Sequence, residues 1–259
     1  MTRAAAPATA PAITPLGWAL IVLRSLTIVV FLVACLLLYA LFVPFTRRNP
    51  VAPFFLGGVA RIVGVRYRGA GERPRGTVIL LANHISWIDV LALAGLTNTA
   101  FVAQDGLAKV AWLRWLCELN DTVFIARDRR QTIAQQVKQV RAALHDSGVL
   151  TIFPEGTTGD GIELLAFKSS LLSALEPVPQ GTTVQPVWLD YGNDAPRIAW
   201  VGDEPGLDNY LRIAARFRPI TLTAHFLAPL AGESLADRKT IAAATCRAIA
   251  RAADQRVAL

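Results

Sequence analysis

The chain of 259 residues is 53% hydrophobic and only 17% charged, with a formal net charge of +7. That is apolar for a wholly soluble protein, and the positive balance fits an anionic membrane surface, nucleic acid or phosphorylated substrates. Three scattered cysteines (Cys35, Cys117, Cys246) and three histidines (His84, His145, His225) give no even disulfide framework and no zinc-ligand spacing.

Residues 1–15 are rich in Ala, Pro and Thr and read as a disordered N-terminus. Residues 16–47 read as a membrane anchor. From Ser25 to Thr46 there are 22 residues without a charge, on the order of 33 Å of helix and enough to cross a hydrocarbon core. A cleaved signal peptide has a shorter apolar part and a small-residue cleavage site close behind it. Arg24 precedes the run. Arg47, Arg48, Arg61, Arg66 and Arg68 follow it, and this bias places the downstream domain on the cytoplasmic side. Residues 48–68 form an interfacial segment: Val51–Val65 is apolar but broken by Pro53, Gly57-Gly58 and Arg61.

Residues 69–259 carry alternating strand and helix patterns. Strands are expected at Ile62–Tyr67, Thr77–Ala82, Ala100–Ala103, Thr122–Ala126, Gly148–Phe153, Val184–Leu189 and Thr221–Phe226, with a Gly/Pro-rich turn at Gly69–Gly76. Helices are expected at Ser86–Leu96, Gly106–Leu119, Gln131–His145, Lys168–Leu175 and Ser234–Ala253. The alternation predicts an α/β domain, a mixed sheet flanked by helices, preceded by an N-terminal transmembrane helix.

Four stretches carry chemistry. Asn83-His84-Ile85-Ser86-Trp87-Ile88-Asp89 follows a buried strand, at the edge where open α/β sheets collect ligands. His84 is a general-base candidate, and Asp89 can fix its tautomer and stabilise the imidazolium. No protein nucleophile accompanies the pair, so the attacking hydroxyl would belong to a substrate. Ser86-x-x-Asp89 scans equally as a helix capping box. In Val123-Phe124-Ile125-Ala126-Arg127 a strand delivers a guanidinium suited to phosphate, although Arg127, Arg129 and Arg130 also read as a solvated basic turn. Phe153-Pro154-Glu155-Gly156-Thr157-Thr158 ends a strand in a tight turn that projects Glu155 toward the same edge, or is an ordinary Pro/Gly turn. Val184-Gln185-Pro186-Val187 holds an internal Pro, which implies an edge strand or a bulge.

In this order the four stretches resemble the motifs of the glycerolipid acyltransferase family, which includes the 1-acylglycerol-3-phosphate acyltransferases. Asn83, His84 and Asp89 match N-H-x4-D; Val123, Phe124, Ile125 and Arg127 match the second motif; Phe153–Thr157 matches F-P-E-G-T in full; Val184, Pro186 and Val187 match the fourth. The resemblance runs from about Gly69 to Phe226. It implies acyl transfer from acyl-CoA or acyl carrier protein to the free hydroxyl of a lysophospholipid, most simply 1-acylglycerol-3-phosphate. His84 and Asp89 would be catalytic. Arg127, Glu155, Gly156 and Thr157 would bind the acceptor, with Lys168 as a second cation. No metal and no organic cofactor are implied, and the partners are membrane lipids and the thioester donor, not nucleic acid.

Two departures bear on the acceptor. Asp121 stands where the family often has Gly at the start of the second motif, and Gly159-Asp160-Gly161 follows Thr158 where many members carry Ser and Arg. Both lower the local positive charge. Relatives that acylate lyso-ornithine lipid resemble this chain at Asp160-Gly161, Phe167-Lys168-Ser169 and Trp200-Val201-Gly202-Asp203, which makes that lipid the alternative acceptor. A serine lipase or esterase is a second class, but no G-x-S-x-G occurs. A non-catalytic basic module leaves the His–Asp pair without a purpose.

Overall fold

A computed structural model describes residues 13–46, 49–73, 75–104, 111–125 and 133–257. In it the apolar run Thr77–Ala82 is strand β2, central in a seven-stranded sheet. The other strands are β1 (Val65–Gly71), β3 (Ala100–Gln104), β4 (Val123–Ile125), β5 (Val149–Ile152), β6 (Thr182–Asp190) and β7 (Ile220–Phe226), in the order β1-β7-β6-β2-β5-β3-β4. Strands β6, β2, β5, β3 and β4 are parallel; β1 and β7 run together and antiparallel to β6. The ends of β2, β5 and β6 therefore share one edge with the beginnings of β1 and β7.

The uninterrupted apolar character of β2 has a direct cause: both faces are covered. Val78, Leu80 and Ala82 face a core built with helices α2 (Val51–Ile62), α3 (Trp87–Thr97), α6 (Ala195–Ile198) and α7 (Gly206–Ala214). Ile79 and Leu81 face the opposite core, with α5 (Ile133–Ser147), the 3₁₀ segment Ser169–Leu175 and α8 (Arg238–Val257). The expected mixed sheet flanked by helices is what forms. A short helix α4 (Ala111–Glu118) completes the set after the N-terminal α1 (Pro15–Phe42).

Helix α1 is the one helix among the described residues long and apolar enough to cross a membrane. Val22, Leu26, Val30, Val33, Leu37 and Leu41 are all exposed on it. The segment expected to lie at the interface contains helix α2, which runs back along α1. Phe31 of α1 packs on Phe54 and Phe55 at 5.6 Å, over the space left by Gly58. At the far end of this hairpin Asn49 Nδ2 donates to Tyr39 O. At the near end Arg24 lies against Gly64. Arg24, before the apolar run, and Arg61 and Arg66, after it, thus line one cavity. Helix α2 reaches α3 through two glycines: a Cβ on Gly95 would stand 2.8 Å from Gly57 Cα and 2.5 Å from the Tyr67 hydroxyl.

The expected strand Ile62–Tyr67 begins later, at Val65, because α2 continues through Ile62, and it runs on through Gly69–Gly71, expected as a turn. Lys168–Leu175 is 3₁₀ rather than α. Pro186 departs most from expectation, since β6 is an interior strand. The antiparallel register pairs Val187 with Phe226, so Pro186 faces Leu227. Leu227 N donates to Pro186 O at 3.0 Å, and the reciprocal donor that proline lacks is supplied by Gln185 Nε2, 3.0 Å from Leu227 O. A neighbouring side chain thereby makes an interior proline tolerable.

Candidate active site

The loop between β2 and α3 is held at nearly every polar atom. Asn83, buried where the β2–β6 ladder ends, donates through Nδ2 to Leu189 O (3.1 Å) and accepts through Oδ1 from Leu189 N (2.7 Å). His84 N–H donates to Glu155 Oε1 at 3.3 Å, and His84 O accepts from Gly159 N at 2.7 Å. Trp200 N donates to Ile85 O at 3.0 Å. The backbone that carries the imidazole is therefore pinned from three segments distant in sequence.

The ring is pinned as well. His84 Nδ1 lies 2.9 Å from Asp89 Oδ2, and the imidazole stacks on Phe153 with centroids 4.1 Å apart and 17° between planes. Phe153 in turn lies parallel to Phe101 at 6.1 Å. Asp89 is fully buried, and its Oδ2 also accepts from Ile85 N (2.6 Å) and Ser86 N (2.9 Å) while Oδ1 accepts from Tyr191 Oη (2.5 Å). An ionised carboxylate this deep requires such a set of donors. Burial and the adjacent Asp89 charge push the Tyr191 phenol well above its usual range, so it remains a donor. The capping box is real, with Ser86 at the N-cap and Asp89 at N3. The two readings of Asp89 are compatible. With Nδ1–H given to Asp89, Nε2 is the ring nitrogen left to accept a proton.

His84 and Glu155 line a cavity of about 240 Å³ at the edge where β2 and β6 end. Glu155 is 2% exposed, and burial pushes its carboxyl up to about 8, against the partial relief of the His84 N–H. Its neighbour Gly156 takes φ +68, the left-handed path that makes this turn tight. Thr157 and Lys168 are exposed and, like Gly156, do not line the cavity; Lys168 touches the turn through its backbone, donating to Pro154 O at 2.8 Å. Arg127 lies outside the described residues. Asp121 adopts φ +54. What that position demands is a left-handed backbone, which Asp tolerates and Gly supplies freely. Gly161 lines the cavity at φ +75 with Ala195 Cβ 2.7 Å from where a side chain would start, so nothing larger fits there.

Sequence reasoning missed Tyr191, Asp190, Glu163 and Arg256, all of which line the cavity. Arg256, from α8, pairs with Asp190 Oδ1 at 2.5 Å, and Gly192 N donates to the same oxygen at 2.8 Å. His225 Nε2 approaches Asp190 Oδ2 at 3.8 Å; burial pushes its imidazole below the usual value, opposed in part by that carboxylate. Asp190 and Tyr191 were within reach of inference, because they directly follow the expected strand Val184–Leu189. Arg256 is separated from them by most of the C-terminal region and left no local signal.

The acyltransferase family model matches residues 64–190. The lyso-ornithine lipid O-acyltransferase of Rhodobacter capsulatus is 33% identical over 73% of this chain and 70% of its own length. The chain belongs to the acyltransferase family. The acyltransferase is also 31% identical to the lyso-ornithine lipid O-acyltransferase of Brucella abortus (76% of this chain, 78% of the relative). It is 31% identical to the 1-acyl-sn-glycerol-3-phosphate acyltransferase of Neisseria gonorrhoeae (57% and 58%). Among solved structures, the 1-acyl-sn-glycerophosphate acyltransferase PlsC of Thermotoga maritima shares the fold, with a TM-score of 0.60 at 19% identity over 91% of this chain and 94% of that one.

Proposed function

We propose that this acyltransferase moves an acyl chain from a thioester, acyl-CoA or acyl carrier protein, onto the free hydroxyl of a lysolipid. The observation that carries the reading is the His84–Asp89 contact of 2.9 Å beside a cavity that His84 lines. His84 Nε2 takes the hydroxyl proton as the oxygen attacks the thioester carbonyl. The C–O bond forms, the C–S bond breaks, and the imidazolium returns the proton to the departing thiolate. Asp89 stabilises the imidazolium in between. Glu155, uncharged near neutral pH, buttresses His84 without adding a second anion beside it.

The acceptor we favour is lyso-ornithine lipid. An ornithine head group with one amine acylated keeps one ammonium and one carboxylate. Asp190 and Glu163 beside Arg256 offer a mixed set of charges to such a zwitterion, whereas a phosphate monoester entering there meets both carboxylates. Two relatives of that name match over 70% and 78% of their length, against 58% for the relative named for glycerophosphate acylation. The phosphatidate-forming reading keeps two supports, Arg127 in the second motif and a relative named for that reaction.

The α1–α2 hairpin supports a monotopic attachment. A chain that crosses once does not bring Gly64 back to Arg24. The hairpin lies in one leaflet with the exposed apolar side of α1 in lipid; the cytoplasmic side remains the reading that the arginines after the apolar run support.

The test is an acceptor panel. Membranes containing the protein receive a labelled acyl-CoA or acyl carrier protein with lyso-ornithine lipid, 1-acylglycerol-3-phosphate or glycerol-3-phosphate. Label is expected first in ornithine lipid. Label only in phosphatidate would overturn the acceptor, and release of free fatty acid with no acceptor labelled would overturn acyl transfer itself.

A further inference from the structure

A second cavity, of about 380 Å³, opens beside α1 at the same sheet edge as the first, where β1 and β7 begin. Arg24, Arg61 and Arg66 line it. Among the described residues none of the three has a carboxylate in ion-pair distance. Arg24 is fixed from behind: its Nη1 donates to Ala214 O (2.9 Å) and Arg216 O (3.0 Å). Gly64, at φ +94, leaves the space in which Nη2 sits, since a Cβ there would lie 2.6 Å from it. Arg61 is held by Gly57 O at 3.3 Å and by the Tyr67 ring, 4.5 Å from its guanidinium carbon. Two of the three cations are thus held in place by the fold and left without a counter-charge. Phe217, which lines the cavity, is 56% exposed, and Leu23, next to Arg24 in α1, is 61% exposed.

The geometry points to a binding site for the phosphate of an anionic membrane phospholipid, separate from the acyl-transfer cavity. Convergent guanidinium groups suit a phosphate. The adjoining exposed face of α1 gives the same molecule's acyl chains a surface to lie on, which a free phosphate ion does not use. The site would seat the hairpin on anionic lipid and hold the catalytic edge toward the leaflet. It rests on charge and position alone, and does not depend on which lysolipid is acylated.

The experiment uses the purified full chain in neutral detergent, titrated with dihexanoyl phosphatidylglycerol or dihexanoyl phosphatidylcholine and followed by calorimetry. Stoichiometric binding of the glycerol lipid is expected, with the choline lipid at least about fivefold weaker. Arg61→Gln and Arg66→Gln should each weaken the glycerol lipid by about fivefold, and Arg238→Gln, on the opposite face, should not. Equal binding of both lipids, equal loss in Arg238→Gln, or full displacement by millimolar inorganic phosphate would each overturn the site. Arg24→Gln is avoided because it removes two bonds that hold the hairpin.

Discussion

The Asp89 oxygen that orients His84 at 2.9 Å is the same oxygen that caps helix α3 by accepting from Ser86 N. Fold and chemistry therefore draw on a single atom, and substitution can separate them. Asn at position 89 keeps an oxygen for the two backbone donors and for His84, but removes the charge that stabilises an imidazolium. Asp89→Asn should lose about 10²-fold or more in turnover while melting near the wild type. Asp89→Ala should lose activity and also at least about 1–3 kcal/mol of stability, because Ile85 N, Ser86 N and Tyr191 Oη lose their buried acceptor. Steady-state rates with thermal melts of both variants check this, and an active Asp89→Asn enzyme would contradict it.

Glu155 predicts a pH dependence of stability. Its carboxyl titrates near 4.5 in an unfolded chain and is raised to about 8 in the folded one. Below 4.5 both states hold the proton. Between 4.5 and about 8 only the unfolded chain is ionised, so stability falls as pH rises through this window and levels above it. Glu155→Gln keeps an acceptor for the His84 N–H and does not titrate. Its melting temperature should fall less than that of the wild type between pH 5 and pH 8.5; parallel curves would refute the assignment.

Gly95 and Gly57 set the closest approach of α2 to α3. Gly95→Ala places a methyl 2.8 Å from Gly57 Cα, against backbone that cannot rotate away. The helices must separate, at a cost of about 1–3 kcal/mol. A lowered melting temperature in detergent is expected, and an unchanged one would mean the two helices pack less closely.

Arg256 should read the acceptor and take no part in the chemistry. Losing one charge-assisted contact corresponds to roughly a tenfold rise in the KM for lyso-ornithine lipid. With Arg256→Gln, kcat should stay within about twofold. A fall in kcat at constant KM would instead place Arg256 in the chemical step.

Much of this was legible in the sequence for physical reasons. The run Thr77–Ala82 reads as a strand buried on both faces because it is; Asn83 and His84 lie in the short loop that follows and Asp89 in the first turn of the next helix, so their spacing sets their geometry. Other features arise only when distant segments meet. Pro186 reads as an edge residue until Gln185 is seen bonded to Leu227. The breaks in the apolar Val51–Val65 stretch are legible, but the use of Gly57 as a close contact with Gly95 is not. Arg256 lies beyond the expected helix Ser234–Ala253 and carries no signal until Asp190 is seen beside it. Asp121, where the family often has Gly, reads in the sequence as a change of charge, and the structure adds that its backbone is left-handed.

The most direct measurement is the initial rate of labelled acyl transfer into lysolipid by membranes holding equal amounts of folded wild-type and His84→Ala protein. A base that removes the acceptor's proton makes the variant slower by about 10²–10⁴-fold. A residual rate above about one per cent of wild type would contradict that role.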